Sequence, residues 1–163
     1  MLNKNLAQLS KMLTTKNLTL AVAESCTSGL IQNNFSQTKE AMAFFQGGMT
    51  VYNAGQKTKH LGINPIAAEN CNSVSKEICE KMAVEVAAKF NAEIGISITG
   101  YAQPFPEKKV DDCFAFIAVS KNSEIILSKR IKGAKDKDIG ENQQIYAEKV
   151  VKELLIFLKK DGD

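Results

Sequence analysis

Leu2, Leu6, Leu9 and Leu13 recur at intervals of three and four, which gathers them on one face of a helix. Thr14 to Asn17 read as its end. The period then changes. Leu18–Ala23 is a short continuous apolar run suited to a buried strand, and Glu24 to Gly29 interrupt it with small polar residues. Leu30, Ile31 and Asn34 open a second helix. Met49–Tyr52, after the flexible pair Gly47-Gly48, reads as a strand. The strongest helical stripe is Ile78, Met82, Val86 and Phe90, widened by Ala83 and Ala87. Ser73 or Ser75 stands where that helix needs a cap. Ile94–Thr99 is another buried run, and Cys113–Val119 and Ile125–Ile131 are two further strands. Lys121-Asn122-Ser123 between them marks a hairpin, hence one antiparallel pair. Ala147, Val150, Val151, Leu154, Leu155 and Leu158 mark a last helix.

Alternation of helices and strands with a late hairpin predicts an α/β fold, a three-layer α/β/α sandwich around a mixed, mostly parallel sheet. The strands at Leu18–Ala23 and Ile94–Thr99 are expected to be neighbours, which brings Ser25 and Thr99 to one edge. No repeat, low-complexity tract or linker divides the chain, so residues 1–163 read as a single domain. Only Lys159 to Asp163 suggest disorder. No apolar run is long enough to cross a bilayer, and the polar residues among the first leucines do not read as a signal peptide. The expectation is a cytoplasmic protein with reduced cysteines and no membrane partner.

Charge narrows the chemistry. The net charge is only +3, and Arg130 is the sole arginine. A dedicated nucleic-acid binder usually carries more, because arginine is the preferred fork for phosphate and guanine edges, so nucleic acid is not an expected partner. Cys26, Cys71, Cys79 and Cys113 form no C-x-x-C pair, and His60 is the only histidine. No metal site is expected. Cys79 and Cys113, in apolar runs, read as core residues, and His60 as a helix-surface residue.

Ligands of open α/β sheets gather at the carboxyl ends of strands. Two such ends carry polar residues: Glu24-Ser25-Cys26-Thr27-Ser28-Gly29 and Thr99-Gly100-Tyr101-Ala102-Gln103-Pro104. The first enters a helix, where free N–H groups would attract a phosphate or an oxyanion. The plainer reading is that its hydroxyls cap the helix. The G-x-x-x-x-G-K-[ST] pattern is absent, which argues against a P-loop nucleotidase, and no cofactor is expected. A serine needs a base to become a nucleophile; His60 or a lysine with a lowered pKa are both open. Two S-x-x-K matches, Ser36–Lys39 and Ser73–Lys76, are what a lysine-rich chain yields by chance.

Ala23-Glu24-Ser25-Cys26-Thr27-Ser28-Gly29 is similar to the A-E-S-C-T-G-G segment of the C-terminal domain family of the competence/damage-inducible protein CinA. Val51-Tyr52-Asn53, then Lys57 and Leu61-Gly62-Ile63, resembles the family's V-x-Y-x-N-x-x-K-x-x-x-L-G-V, with the asparagine one place displaced. Val74-Ser75 resembles its V-S before the long helix, and Ile98-Thr99-Gly100-Tyr101-Ala102-Gln103-Pro104 its S-x-[ST]-G-I-A-G-P. The resemblance runs in order along nearly the whole chain. It implies an amidohydrolase like nicotinamide mononucleotide deamidase, which converts a pyridine carboxamide to the acid and ammonia. Carried over by position, Ser25 is the implied nucleophile, Lys57 its base and Thr99 a nearby catalytic hydroxyl. Glu24, Cys26, Thr27, Ser28, Gly29, Tyr52, Gly100 and Tyr101 are the implied substrate-binding residues. Backbone amides around Cys26 to Ser28 would serve the oxyanion.

The departures are concentrated. The family's G-x-A-G-P-x-G-G has become Gly100-Tyr101-Ala102-Gln103-Pro104-Phe105-Pro106. Its K-P-V-G-T is replaced by Lys109-Val110-Asp111-Asp112-Cys113, and its G-D-R-x-x-V-R by Gly133 to Gly140, where no arginine remains. Lys135 or Lys137 could substitute, but lysine is not equivalent at a bidentate phosphate site, and Asp111 and Asp112 would repel a phosphate they faced. The alternative reading is therefore an inactive CinA-like binding or regulatory module. A small-molecule partner, a pyridine nucleotide by resemblance, is expected in either case. The resemblance, with Phe44-Phe45 as a surface-prone apolar pair, implies a homo-oligomer.

Overall fold

The computed structural model describes residues 2–161. Strand β1 (Leu20–Glu24), buried at every residue, lies at the centre of the parallel part of the sheet. It pairs in parallel with β2 (Phe45–Thr50) and β3 (Ile94–Tyr101). β4 (Phe114–Lys121) and β5 (Glu124–Lys132) continue antiparallel, giving the order β2-β1-β3-β4-β5. All strands but β4 run the same way, so the expected mixed, mostly parallel sheet is present. The β4–β5 turn places Asn122 and Ser123 both at positive φ, 50° and 69°, the turn whose twist matches the flanking strands.

Strand alternation divides the core. Leu20, Val22, Ile94, Ile96 and Ile98 face α1 (Leu2–Thr15), α2 (Leu30–Ser36) and α7 (Ile139–Lys160), packing on Leu9, Leu13, Ile31, Phe35 and Leu154. Ala21 and Ala23 point the other way, against α4 (Ala54–Leu61), α5 (Pro65–Asn70) and α6 (Lys76–Lys89) through Leu61, Ile63, Ala68 and Met82. On this second face α6 lies almost on the sheet backbone. A Cβ on Gly95 would sit 1.9 Å from the Ala83 carbonyl oxygen. Ser97 Oγ donates to the Cys79 carbonyl at 2.5 Å and Ser120 Oγ to that of Ala83 at 3.1 Å.

Several boundaries differ from expectation. β2 begins before Met49, so Gly47 and Gly48 lie inside it, paired with Ala21 and Val22; ladder pairing outweighs their weak strand propensity. Val51 and Tyr52 leave the sheet, with the Val51 amide donating to the Glu24 carbonyl at 2.8 Å. Ser75, not Ser73, caps α6, accepting from the Ile78 amide at 3.1 Å. Phe44, the last residue of α3 (Ala41–Phe44), is fully buried and meets the Phe35 ring edge-on, and Phe45 is half-buried against the same ring. The pair is core rather than surface, because the strand that follows carries it under α2. Lys159 and Lys160 are helical and Asp161 caps the helix end, and the rest of the expected disordered tail, 162–163, lies outside the described residues. No helix among the described residues is long and apolar enough to cross a membrane.

Candidate active site

The register Glu24↔Ile98 ends the β1–β3 ladder and sets Ser25 and Thr99 side by side at the carboxyl edge of the sheet. The residues after β1 divide into two roles. Glu24 is fully buried, and its carboxylate accepts from the amides of Gly29, Ile31 and Gln32 at 3.1, 3.1 and 2.7 Å. It thus caps α2, supplying the negative charge a helix N-terminus favours. Neither reading of the 25–29 hydroxyls anticipated this: the cap is the carboxylate before them, and it fills the place offered to a phosphate. Gly29, at φ +94°, lets the chain turn around it. Thr27 is buried, Ser28 is exposed at φ +48°, and neither they nor Glu24 and Gly29 line the adjacent cavity. These four implied substrate-binding residues build the turn instead.

Ser25 faces the second side of the sheet, where Lys57 on α4 reaches it. Asn53 caps α4 by accepting from the Gln56 amide, and the helix carries Lys57 inward. Lys57 is only 2 % exposed, and its Nζ donates to Ser25 Oγ at 2.9 Å. No carboxylate pairs with it among the described residues. Burial without a counter-charge disfavours the ammonium and brings its pKa down to about 8. The other base considered, His60, is exposed on the outer side of the same helix beside Gln56. Cys26 points into the apolar core on the α7 side, and burial pushes its thiol up to about 12. It is therefore a neutral thiol rather than a nucleophile.

A cavity of about 280 Å³ opens beside this pair. Ser25, Cys26 and Lys57 form its floor, Thr99, Gly100 and Tyr101 one wall, and Tyr52 its exposed rim. Thr99 is buried, and its Oγ1 donates to the Ser73 carbonyl at 2.8 Å. Its proton is thus committed, and it offers the cavity an acceptor. Asn72 Nδ2 donates to the Tyr101 hydroxyl at 3.1 Å. Among the described residues neither the Cys26 nor the Thr27 amide donates to a protein oxygen, while the Ser28 amide is taken by the Ser25 carbonyl.

The periodicity marked α7 only as a core helix, yet its first turns tie the site loops together. Gln143 Nε2 donates to the Cys26 carbonyl at 2.9 Å, Asn142 Nδ2 to the Ala102 carbonyl at 2.9 Å, and the Tyr146 hydroxyl to the Tyr101 carbonyl at 2.7 Å. Because a peptide is planar and trans, fixing the Cys26 carbonyl also fixes the Thr27 N–H that points away from it. Polar residues on a buried stripe were the available signal: Asn142 and Tyr146 share the core face of the helix with Val150.

No cation other than Lys57 lines the cavity among the described residues. Arg130 stacks on the Phe114 ring at 3.9 Å, Lys135 pairs with Asp112 at 3.0 Å, and Lys137 with Glu141 at 3.3 Å. No cluster of His, Cys, Asp and Glu among the described residues is fit to hold a metal.

Fold and site define a three-layer α/β domain with a buried serine–lysine pair at the carboxyl edge of its parallel strands. The family model of the CinA C-terminal domain matches residues 3–157, and the chain belongs to that family. It is 37% identical over 126 residues to a putative competence-damage inducible protein of Clostridioides difficile, covering 76% of this chain and 30% of that protein. A protein of the same description from Thermoanaerobacter is 31% identical over 154 residues, 93% of this chain and 37% of that one. The chain spans about a quarter to a third of the length of such relatives. Among solved structures, a CinA superfamily protein of Klebsiella pneumoniae superposes with a TM-score of 0.91 at 19% identity, covering 98% of this chain and 99% of that one. The competence/damage-inducible protein CihA of Agrobacterium tumefaciens gives 0.87 at 19%, covering 96% and 94%. At these identities the likeness is one of fold.

Proposed function

We propose that the domain is an amidohydrolase acting on a pyridine carboxamide in the manner of nicotinamide mononucleotide deamidase, with Ser25 as nucleophile and Lys57 as base. The observation that carries this reading is the 2.9 Å contact between Lys57 Nζ and Ser25 Oγ, made by a lysine whose pKa burial brings to about 8. A lysine of that pKa is partly neutral at physiological pH and can accept a proton.

Ser25 Oγ attacks the amide carbon while its proton passes to Lys57 Nζ. The negative charge that develops on the carbonyl oxygen is met by the free Cys26 and Thr27 amides. Lys57 returns the proton to the departing nitrogen, which leaves as ammonia, and the acyl group stays on Ser25. A water then gives its proton to Lys57 and its oxygen to the acyl carbon. The acid departs as Ser25 regains its proton from Lys57. Thr99, with its own proton on the Ser73 carbonyl, accepts a hydrogen bond from the amide nitrogen.

A second reading, an inactive binding or regulatory module, is favoured by the lack, among the described residues, of any cavity cation besides Lys57. Incubation of the pure protein with nicotinamide, its riboside and its mononucleotide, with ammonia as the readout, separates the two. Release from any of them that Ser25→Ala abolishes supports the amidohydrolase. No release from a folded protein that still binds one of them leaves the binding module.

A further inference from the structure

Thr99 and Tyr101 lie two residues apart on β3, so their side chains leave the same face of the sheet, the side from which Lys57 reaches Ser25. The rise along a strand puts Tyr101 about 7 Å beyond Thr99, outward from the carboxyl edge. A ring bonded to a carbon that Ser25 attacks beside Thr99, and directed outward, extends to the level of Tyr101. Tyr101 lines the cavity and is half-buried, so part of it is open to a ligand there.

The Tyr101 ring is held from several directions. Across the ladder it pairs with Phe114, the two rings lying 5.5 Å apart at 63°. Phe114 in turn meets Phe116 edge-on at 5.9 Å and carries the Arg130 guanidinium at 3.9 Å. Phe105, also in the cavity wall, tilts toward Tyr101 at 6.3 Å. Phe105 is itself fixed by the two backbone bonds it exchanges with Val110, at 2.8 and 3.1 Å. The Tyr101 hydroxyl accepts from Asn72 Nδ2 at 3.1 Å, and its carbonyl from the Tyr146 hydroxyl at 2.7 Å. The ring is thus ordered by the fold, which lowers the entropy a ligand would lose in packing on it. Aromatic rings attract one another beyond the gain from buried area alone. The CinA segment that this stretch resembles carries isoleucine where this chain has Tyr101. An isoleucine supplies apolar area but no ring.

We infer that Tyr101 is a specificity-determining residue, whose ring packs on the ring of the ligand and selects a planar aromatic carboxamide over a saturated one of the same size. This rests on the amidohydrolase reading for the roles of Ser25 and Lys57 and names the substrate class within it.

Benzamide and cyclohexanecarboxamide supply the test, since both are six-membered ring carboxamides and they differ in planarity. Ligand-observed NMR titration into Ser25→Ala gives binding without turnover, and ammonia release by the wild type gives hydrolysis. Benzamide should bind Ser25→Ala about tenfold more tightly than cyclohexanecarboxamide, near the upper end of what one aromatic pair supplies. In Ser25→Ala/Tyr101→Ile that ratio should fall to within about twofold, and in Ser25→Ala/Tyr101→Phe, which keeps the ring, it should stay above about fivefold. Melting checks that each variant is folded, and Tyr101→Leu replaces the isoleucine variant if that one is not. A ratio near one in Ser25→Ala, or binding of neither amide, overturns the inference with Tyr101 untouched. So does a ratio that survives loss of the ring, or one lost equally in Tyr101→Phe, which would assign the selectivity to the hydroxyl. If the wild type releases ammonia from neither amide nor from nicotinamide, the amidohydrolase reading fails and the titrations still decide. A tenfold ratio that vanishes with the ring then upholds Tyr101 as the contact of a binding site, and any other ratio removes it.

Discussion

The two faces of the sheet are built on different principles. Toward α1, α2 and α7 the strands present Leu20, Val22, Ile94, Ile96 and Ile98 to a continuous apolar layer. Toward α6 the intervening positions are Gly95, Ser97 and Thr99; the hydroxyls of Ser97 and of Ser120 on β4 join sheet and helix through the Cys79 and Ala83 carbonyls, and that of Thr99 reaches the Ser73 carbonyl just before the helix. The first face gains its stability from buried area. The second gives up area so that a helix can approach closely, and where that helix begins the space beside Lys57 stays open. Adjacent residues of one strand thus face the apolar layer and the candidate site separately, because side chains alternate across a sheet.

The sharpest way to break this division is at the pair itself. Ser25→Ala and Lys57→Ala should each lower kcat for amide hydrolysis by on the order of 10⁴-fold, and the double variant should lose little more, since the two act as one unit. Additive losses would show that they act separately. Next comes the contrast between neighbours on β3. Ile96→Ala should cost about 4 kcal/mol in denaturant unfolding, by lost burial and the cavity left behind. Ser97→Ala, on the other face, should cost about 1 kcal/mol, the worth of its bond to the Cys79 carbonyl. Equal costs would erase the distinction between the faces.

Lys57 is the point where the proposed chemistry would cost stability. Its ammonium is disfavoured in the folded state, so the folded pKa lies near 8 and below the unfolded value of 10.5. Between those values the unfolded chain binds more protons, and stability rises with pH across that window. Below pH 8 both states are protonated and the full penalty, about 3 kcal/mol from the size of the shift, is present. Lys57→Met should therefore unfold at higher denaturant than wild type at pH 7, with the gain shrinking toward pH 10, while turnover is lost. In the wild type kcat/KM should climb with pH and level off above about 8, as neutral Lys57 becomes the dominant form. A flat profile from pH 6 to 10 would exclude lysine as the base.

Thr99→Ala should lower kcat by on the order of 10²-fold, as for loss of one positioning group. The smallest effect concerns the clamp from the first face. Gln143→Leu frees the Cys26–Thr27 peptide, and kcat should fall about fivefold with KM and the pH profile unchanged, the mark of a positioning residue weakening one oxyanion donor. A shifted pH profile would place Gln143 in the proton transfer instead.

Periodicity alone identified the leucine stripe of α1, the α6 helix, the central strands and the hairpin, because each depends on the local alternation of apolar and polar residues. The motifs also marked Ser25, Lys57 and Thr99, and small residues at strand ends marked where a ligand would enter. Tertiary structure alone decided which neighbours of these residues belong to the cavity. Glu24, placed by resemblance among the binding residues, turns inward to cap α2. Phe44, read as surface, is core. Ser73, read as a cap or a chance match, holds the Thr99 hydroxyl through its carbonyl. The physical reason is the same in each case. A periodic pattern states which face of an element is apolar. The partner of a polar group depends on where remote segments land, and the Ser25–Lys57 contact spans 32 residues of chain.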